Sequence, residues 1–211
     1  MLSKEFRKNK TPKFILMEAM LRQVPKYGWS WKALYKGTST VKEFKAWNES
    51  EMQALFENKI ANIVKVFNER LDQDMIKLCD KNLNEELGIT QKVRQLILFR
   101  LDASKDNKEI IKSSIYFMSN PKNSYNALEQ LLTTCNKIWK VAGDESRGTT
   151  FFSKRFILAG VYSSTLGYWL SSSNRSNEET EEFLDKRLED VKNLGKVKTN
   201  LFNIVGKKYN G

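Results

Sequence analysis

The stretch that decides the fold runs from residue 139 to residue 188. It reads Trp139-Lys-Val-Ala-Gly-Asp144, then Phe151-Phe-Ser-Lys-Arg155, then Leu166-Gly-Tyr-Trp-Leu170, then Phe183-Leu-Asp-Lys-Arg-Leu188. Ala142-Gly143 is a helix C-terminal signal, because glycine takes the left-handed conformation that closes a helix without steric cost. Residues 149–171 predict a helix that is apolar almost all round, hence a core helix. The polar run Ser171–Ser176 reads as a loop. Ser176 with Glu179 has capping-box form and opens a helix to about Leu194. Gly195 reads as a hinge before a last helix over 196–208.

Outward from this stretch the same grammar holds. Asn120-Pro121 separates helices predicted over 107–118 and 123–142, since proline lacks an amide donor and biases its predecessor away from α. Ile89, Val93, Leu96, Ile97 and Leu101 mark the buried face of a helix over 85–102. Phe56, Ile60, Ile63, Phe67, Leu71, Met75 and Leu78 form the stripe of one long helix over 50–83, straight or bent. Phe14, Met17, Leu21 and Val24 place a first helix over 11–25. Trp29–Tyr35 is a short helix closed by Gly37, and Thr40 with Glu43 has capping-box form for a turn through Trp47. Three short helices with glycine-marked joints resemble a helix-turn-helix layout. The fold class expected is all-α, about nine or ten helices, with no strand and no internal repeat. Only 3 Pro and 10 Gly punctuate the chain, which favours helices on short loops. The expected organisation is a degenerate helix-turn-helix region over 1–48, a helical body over 49–194 and an amphipathic helix over 195–211.

The formal charge of +11 is concentrated at the ends: residues 1–14 supply +4 and residues 192–211 supply +5. Charge confined to two tails fits attachment to an anionic surface better than a continuous nucleic-acid groove. Cys79 and Cys135 lie in separate predicted helices and form neither a disulfide framework nor a CxxC pair. There is no histidine, which removes the commonest general base and the commonest zinc ligand together. No complete catalytic constellation, P-loop or dinucleotide fingerprint occurs, so the chain is read as no enzyme. Neither a secretory signal nor an apolar window of about 20 residues is visible.

In the tail, Leu194, Val197, Leu201, Ile204 and Val205 share one helical face, with Phe202 at its edge. Lys196, Lys198, Lys207 and Lys208 fall mostly elsewhere. A helix whose only charges are cationic suits an anionic bilayer, where each lysine contributes about 1 kcal/mol; docking on the body or on a second subunit explains the same pattern. Trp139, beside Gly143 and Asp144, reads either as a core plug or as a partner-facing residue. Gly160, Ser163, Ser164 and Gly167 make a small-residue stripe, suited to tight helix packing, to a dimer seam, or to room for a guest between helices. Arg100 reads as an ion-paired structural residue ahead of a lipid headgroup anchor, and the Lys154-Arg155 pair likewise as a helix N-terminal pair that finds acids nearby.

The order and spacing of the 139–188 elements resemble the lipid-binding accessory proteins of ubiquinone biosynthesis, the family of the ninth COQ protein, built on a TetR-like helical fold. The resemblance covers residues 85–191 well, 14–36 weakly and the tail by character. It implies a protein that binds an isoprenoid quinone intermediate at the membrane and presents it to the di-iron demethoxyubiquinone hydroxylase. It implies partner-binding residues at Asn136, Trp139, Lys140 and Asp144. Asn136 departs from the family's usual aspartate, and Gly148–Ser153 departs from its usual Asp-Phe-Asn-Trp-Tyr-Thr run. A lipid or isoprenoid quinone cavity lined by Ile97, Phe117, Leu132, Phe156 and Tyr162 is expected, with no other cofactor and no metal. Membrane binding is expected at Lys196, Val197, Lys198, Leu201, Phe202, Ile204 and Val205, together with a homodimer. The expected location is the cytoplasmic face of a bacterial inner membrane, or the matrix side of the mitochondrial inner membrane in a eukaryote.

The alternative is a TetR-type DNA-binding regulator with a hydrophobic effector. Against it, Trp29, Trp31, Phe44 and Trp47 replace much of the pattern of a repressor's recognition region, leaving phosphate contacts from Lys32, Lys36, Lys42 and Lys45. Specific DNA binding is therefore not expected.

Overall fold

The computed structural model describes residues 11–172 and 176–209, with side chains through Asn193. Among the described residues the regular structure is helical: ten α-helices and three short 3-10 turns. Chain contacts divide it into two units, one made of residues through Leu83 with Phe99–Thr134, the other of Asn84–Leu98 with residues from Cys135 onward.

The first unit contains α1 (Pro12–Leu21), α2 (Val24–Tyr27), α3 (Trp31–Thr38), α4 (Glu49–Leu55) and α5 (Ile60–Asn82). It also holds the end of α6 (Ile89–Asp102), all of α7 (Lys108–Met118) and the start of α8 (Ser124–Val141). Its core is Leu16, Met17, Met20, Leu34, Phe56, Ile63, Phe67, Leu71 and Met75, all at most 1% exposed. Gly37 lies inside α3 rather than closing it, and a Cβ there would fall 2.2 Å from the Ala19 carbonyl oxygen. The absent side chain lets the α1 and α3 backbones meet. Trp29 packs on Phe67 with ring centroids 5.8 Å apart, so the first of the aromatics is core. At the centre of this unit Arg100 Nε donates to Asp72 Oδ1 at 2.9 Å, with both side chains 3% exposed. Thr134 Oγ1 also donates to Asp72, and Arg100 Nη1 donates to the Ser104 hydroxyl. The expected ion-paired role of Arg100 is met by a partner 28 residues away.

The second unit holds the first part of α6, the end of α8, α9 (Gly148–Leu170) and α10 (Asn177–Tyr209). Leu96, Ile97, Ile138, Leu158, Trp169 and Leu184 are buried. Tyr168 of α9 stacks on Phe183 of α10 at 4.2 Å, and Arg94 bridges Glu181 and Asp185 of α10.

Several boundaries differ from the sequence reading. The long helix over 50–83 is two helices, because Glu57 and Asn58 both take φ of 55° between α4 and α5. Neither is glycine; Asn58 tolerates the left-handed region and is the one weak local mark of the break, while Glu57 carries none. The Thr40/Glu43 capping box does not form: Thr40 Oγ1 donates to the Gly37 carbonyl. The box forms instead at Asn48 and Glu51, where each side chain accepts from the other's backbone amide at 2.9 and 2.8 Å. The Ser176/Glu179 box forms as read, with both bonds at 3.0–3.1 Å. Gly195 is no hinge: α10 runs through it to Tyr209, since an interior glycine costs a helix only about 1 kcal/mol.

Candidate functional site

The corner between α8 and α9, inside the second unit, gathers most of the charged chemistry of the 139–188 stretch. Gly143, at φ +89°, ends α8. The Asp144 amide donates to the Trp139 carbonyl at 2.9 Å and the Gly143 amide to that of Lys140 at 3.1 Å. This is the paired bonding of a Schellman cap, and it turns the chain so that Asp144 points back under α9.

Asp144 is the hub. Its carboxylate is 2% exposed and accepts from Lys154 Nζ at 2.7 Å, Arg155 Nη1 at 2.7 Å and the Ser146 hydroxyl at 2.6 Å. Burial opposes its ionisation, but the bonds from Lys154, Ser146 and Arg155 outweigh burial and hold it well below the usual carboxylate range. Arg155 is almost as deeply placed, at 5% exposure. Its Nε donates to Asn136 Oδ1 at 3.2 Å, its Nη1 to the Phe151 carbonyl at 3.2 Å, and its guanidinium lies 3.6 Å from the Phe151 ring centroid. Asn136 therefore keeps an acceptor facing Arg155 without the charge an aspartate would bring. Trp139 is half-buried; its indole donates to the Lys154 carbonyl at 3.1 Å, and Lys154 Nζ sits 5.1 Å from its ring centre. Lys140 is exposed.

Asn136, Lys140 and Asp144 line a half-open cavity of about 810 Å³ together with Arg147, Phe151 and Arg155. Trp139 braces the corner from the Lys154 side. The four residues expected to bind a partner are thus brought to one corner, although Asp144 is internal to it and engaged. The ion-paired role read for Lys154-Arg155 is met by Asp144, whereas Ser146 and Phe151 were not foreseen as parts of this corner. The signal available was the Lys154-Arg155 pair, ten residues beyond an acid.

The residues expected to line a lipid cavity are divided. Phe117 and Leu132 are half-buried in the first unit, while Ile97 and Tyr162 are buried in the second. Phe156 is a correction: at 55% exposure it stands on the outer face of α9, beside Phe152 at 61% and Ile157 at 48%. The α9 helix is apolar all round, so its pattern could not say which side the body covers. Gly160 and Gly167 continue that outer side, and a Cβ at either would meet nothing within 4 Å. Among the described residues Gly160 and Gly167 are therefore not at a packing seam. Lys196, Val197, Lys198, Leu201, Phe202, Ile204 and Val205 fall in the last turns of α10, where side chains lie outside the described residues. Among the described residues no helix is long and apolar enough to cross a membrane.

Comparison with known proteins places this corner in a family context. The COQ9 family model matches residues 125–195, the segment that builds it. The chain resembles the COQ9 proteins. It is 26% identical over 200 residues to the probable ubiquinone biosynthesis protein coq9 of Dictyostelium discoideum, covering 92% of this chain and 64% of that protein. It is 26% identical over 188 residues to COQ9 of Xenopus tropicalis and 25% over 187 residues to that of Homo sapiens, each covering 85% of this chain and 57% of the relative. The chain thus spans about three-fifths of the length of these curated relatives. A crystal structure of a TetR transcriptional regulator from Nitrosomonas europaea matches with a TM-score of 0.62 at 17% identity, covering 84% of this chain and 95% of that one. The fold is TetR-like, as the resemblance implied.

Proposed function

We propose that this chain is a non-enzymatic accessory protein of ubiquinone biosynthesis that binds an isoprenoid quinone intermediate and presents it to the di-iron demethoxyubiquinone hydroxylase. The observation that carries the proposal is the braced α8–α9 corner, within the segment matched by the COQ9 family model. Asp144, Lys154 and Arg155 fix it internally, and Lys140 and Arg147 remain at the rim of its cavity. Such a corner is a preorganised surface, and preorganisation lowers the ordering cost of association. A polyprenyl intermediate is insoluble in water, so a carrier that shields the tail and docks on the hydroxylase removes a desolvation barrier from the enzyme. The relatives are named as mitochondrial, which supports a mitochondrial working location; the matrix side of the inner membrane is the site we assign within it. The lysine-only tail supports peripheral attachment there.

The exposed Phe152, Phe156, Ile157 and Gly160 face of α9 supports a homodimer with this face as its seam, since small residues let helices approach closely. The hydroxylase interaction is tested by pull-down of the cognate enzyme with Lys140→Glu, a rim change that leaves the Asp144 network intact. Loss of capture at an unchanged melting temperature supports the proposal, and undiminished capture refutes the docking surface.

The DNA-binding alternative draws support from the TetR-like fold alone. Trp29 and Phe44 are buried core residues, and Lys26 and Lys32 both lie over the Tyr27 ring, at 5.3 and 5.0 Å. Saturable, sequence-specific duplex binding with a steep salt slope would revive it.

A further inference from the structure

The N-terminal region carries a second cavity, unrelated to the α8–α9 corner. It has a volume of about 250 Å³, and its wall comes from residues 35–52: Tyr35, Phe44, Trp47 and Met52 supply apolar faces, Glu49 a carboxylate and Lys45 an ammonium. We propose that this cavity binds a choline-type quaternary ammonium group, with Lys45 receiving the phosphate attached to it.

Three features carry this assignment. The first is the geometry of the aromatic walls. The Phe44 and Trp47 rings meet edge to face, 5.1 Å apart at 83° to one another, and so offer the cavity two differently oriented aromatic surfaces. Tyr35 lines the same space, and its hydroxyl accepts a bond from the Gln53 amide that pins the ring. Aromatic walls draw a cation through the negative potential of the ring faces, and such walls suit quaternary ammonium because its weak hydration makes entry cheap.

The second is the polar content. Glu49 adds a negative charge to a cavity lined by rings, a thioether, hydroxyls and the Lys45 ammonium. Glu49 is exposed at the mouth, where its charge favours a cationic guest over a neutral or anionic one. One carboxylate is too few for a divalent metal, which takes several hard oxygen ligands. Lys45, exposed beside it, supplies the opposite charge a few residues away, so the cavity and its rim match a zwitterion.

The third is rigidity. Consecutive turns hold the loop: Val41 N to Thr38 O at 2.9 Å, Phe44 N to Val41 O at 3.1 Å and Trp47 N to Phe44 O at 3.1 Å. The Asn48–Glu51 capping box then fixes the start of α4 directly after Trp47. Thr38, which also lines the cavity, is 2% exposed and donates to the Leu34 carbonyl at 2.9 Å. The cavity is therefore formed before any ligand arrives.

The test uses the full chain, 15N-labelled, with the indole N–H signals followed during titration. Tetramethylammonium, choline and phosphocholine are the probes, and ammonium and guanidinium chloride are the controls. Trp47→Leu identifies the Trp47 signal. The expected result is a saturable shift of that signal with the three quaternary ions and none with the controls. Phosphocholine should bind several-fold more tightly than choline, and Lys45→Met should erase that difference. Glu49→Gln, an exposed change that leaves the fold alone, should weaken all three quaternary ions about threefold, the scale of one exposed ion pair. Phosphatidylcholine and phosphatidylglycerol vesicles separate the sources. Trp47 broadening with the former alone, reversed by phosphocholine, assigns a lipid headgroup. A response to the solute without one to vesicles assigns a soluble choline compound. No saturable shift, equal shifts with guanidinium, or unchanged affinity in Glu49→Gln would overturn the assignment.

Discussion

Replacing Asp144 is the sharpest test of how the α8–α9 corner is held. In Asp144→Ala, Arg155 loses its 2.7 Å partner while staying 5% exposed, and Lys154 loses its own at 35% exposure. Removing one member of a buried pair costs about 3–5 kcal/mol, because the remaining charge is stranded rather than because the pair itself was worth that much. Lys154 is exposed enough to rehydrate, so Arg155 dominates and about 3 kcal/mol is expected. Against a total stability of roughly 5–15 kcal/mol this is a large loss, and for a chain of this size it lowers the melting temperature by about 6–12 °C.

Asp144→Asn keeps the shape and one acceptor and should fall between. The pH dependence separates charge from shape. Hydrogen bonds hold the folded Asp144 carboxyl below its unfolded value near 3.9, so its stabilisation is fully present above that pH and fades as pH falls toward the lower folded value. Urea denaturation from pH 7 down to about pH 2.5 should therefore show the gap between wild type and Asp144→Asn narrowing below about pH 4. A loss under 1 kcal/mol in Asp144→Ala, or a gap that stays constant with pH, would show that the corner does not depend on this carboxylate.

Gly37→Ala should destabilise by about 2–3 kcal/mol in thermal melts, because the new methyl meets the Ala19 backbone at 2.2 Å and backbone cannot rotate away. Arg100→Met should cost about 3–5 kcal/mol by stranding Asp72 at 3% exposure, and pairing it with Asp72→Leu should restore much of the loss; equal losses in the single and double variants would refute the pairing. Phe156→Glu, on the outer face of α9, should shift sedimentation toward monomer without lowering the melting temperature of the monomer; an unchanged sedimentation coefficient removes the proposed seam.

Where helices start and stop was legible wherever the signal is local. Gly143 in its left-handed cap, the Asn120-Pro121 break and the Ser176/Glu179 box each depend on a few consecutive residues, and each formed as read. The same grammar misled when two candidate boxes stood close together: Thr40/Glu43 and Asn48/Glu51 satisfy one pattern, and Thr40 turned back to Gly37 instead. The Glu57–Asn58 break was barely legible because left-handed residues there are not glycine. Within the α8–α9 corner, the backbone turn at Gly143 could be read, but the enclosure of Asp144 by Lys154 and Arg155 required α9 to lie against it.

By itself the sequence determined an all-helical chain, the cationic tail and the family likeness of residues 139–188, since periodicity, capping chemistry and motif order are properties of neighbours along the chain. Only the tertiary structure decided that Arg100 meets Asp72, that Gly37 admits Ala19, that Phe156 faces outward and that Tyr35, Phe44 and Trp47 line one cavity. Those outcomes depend on which faces meet across the fold, and a helix that is apolar on every side carries no mark of which face that is.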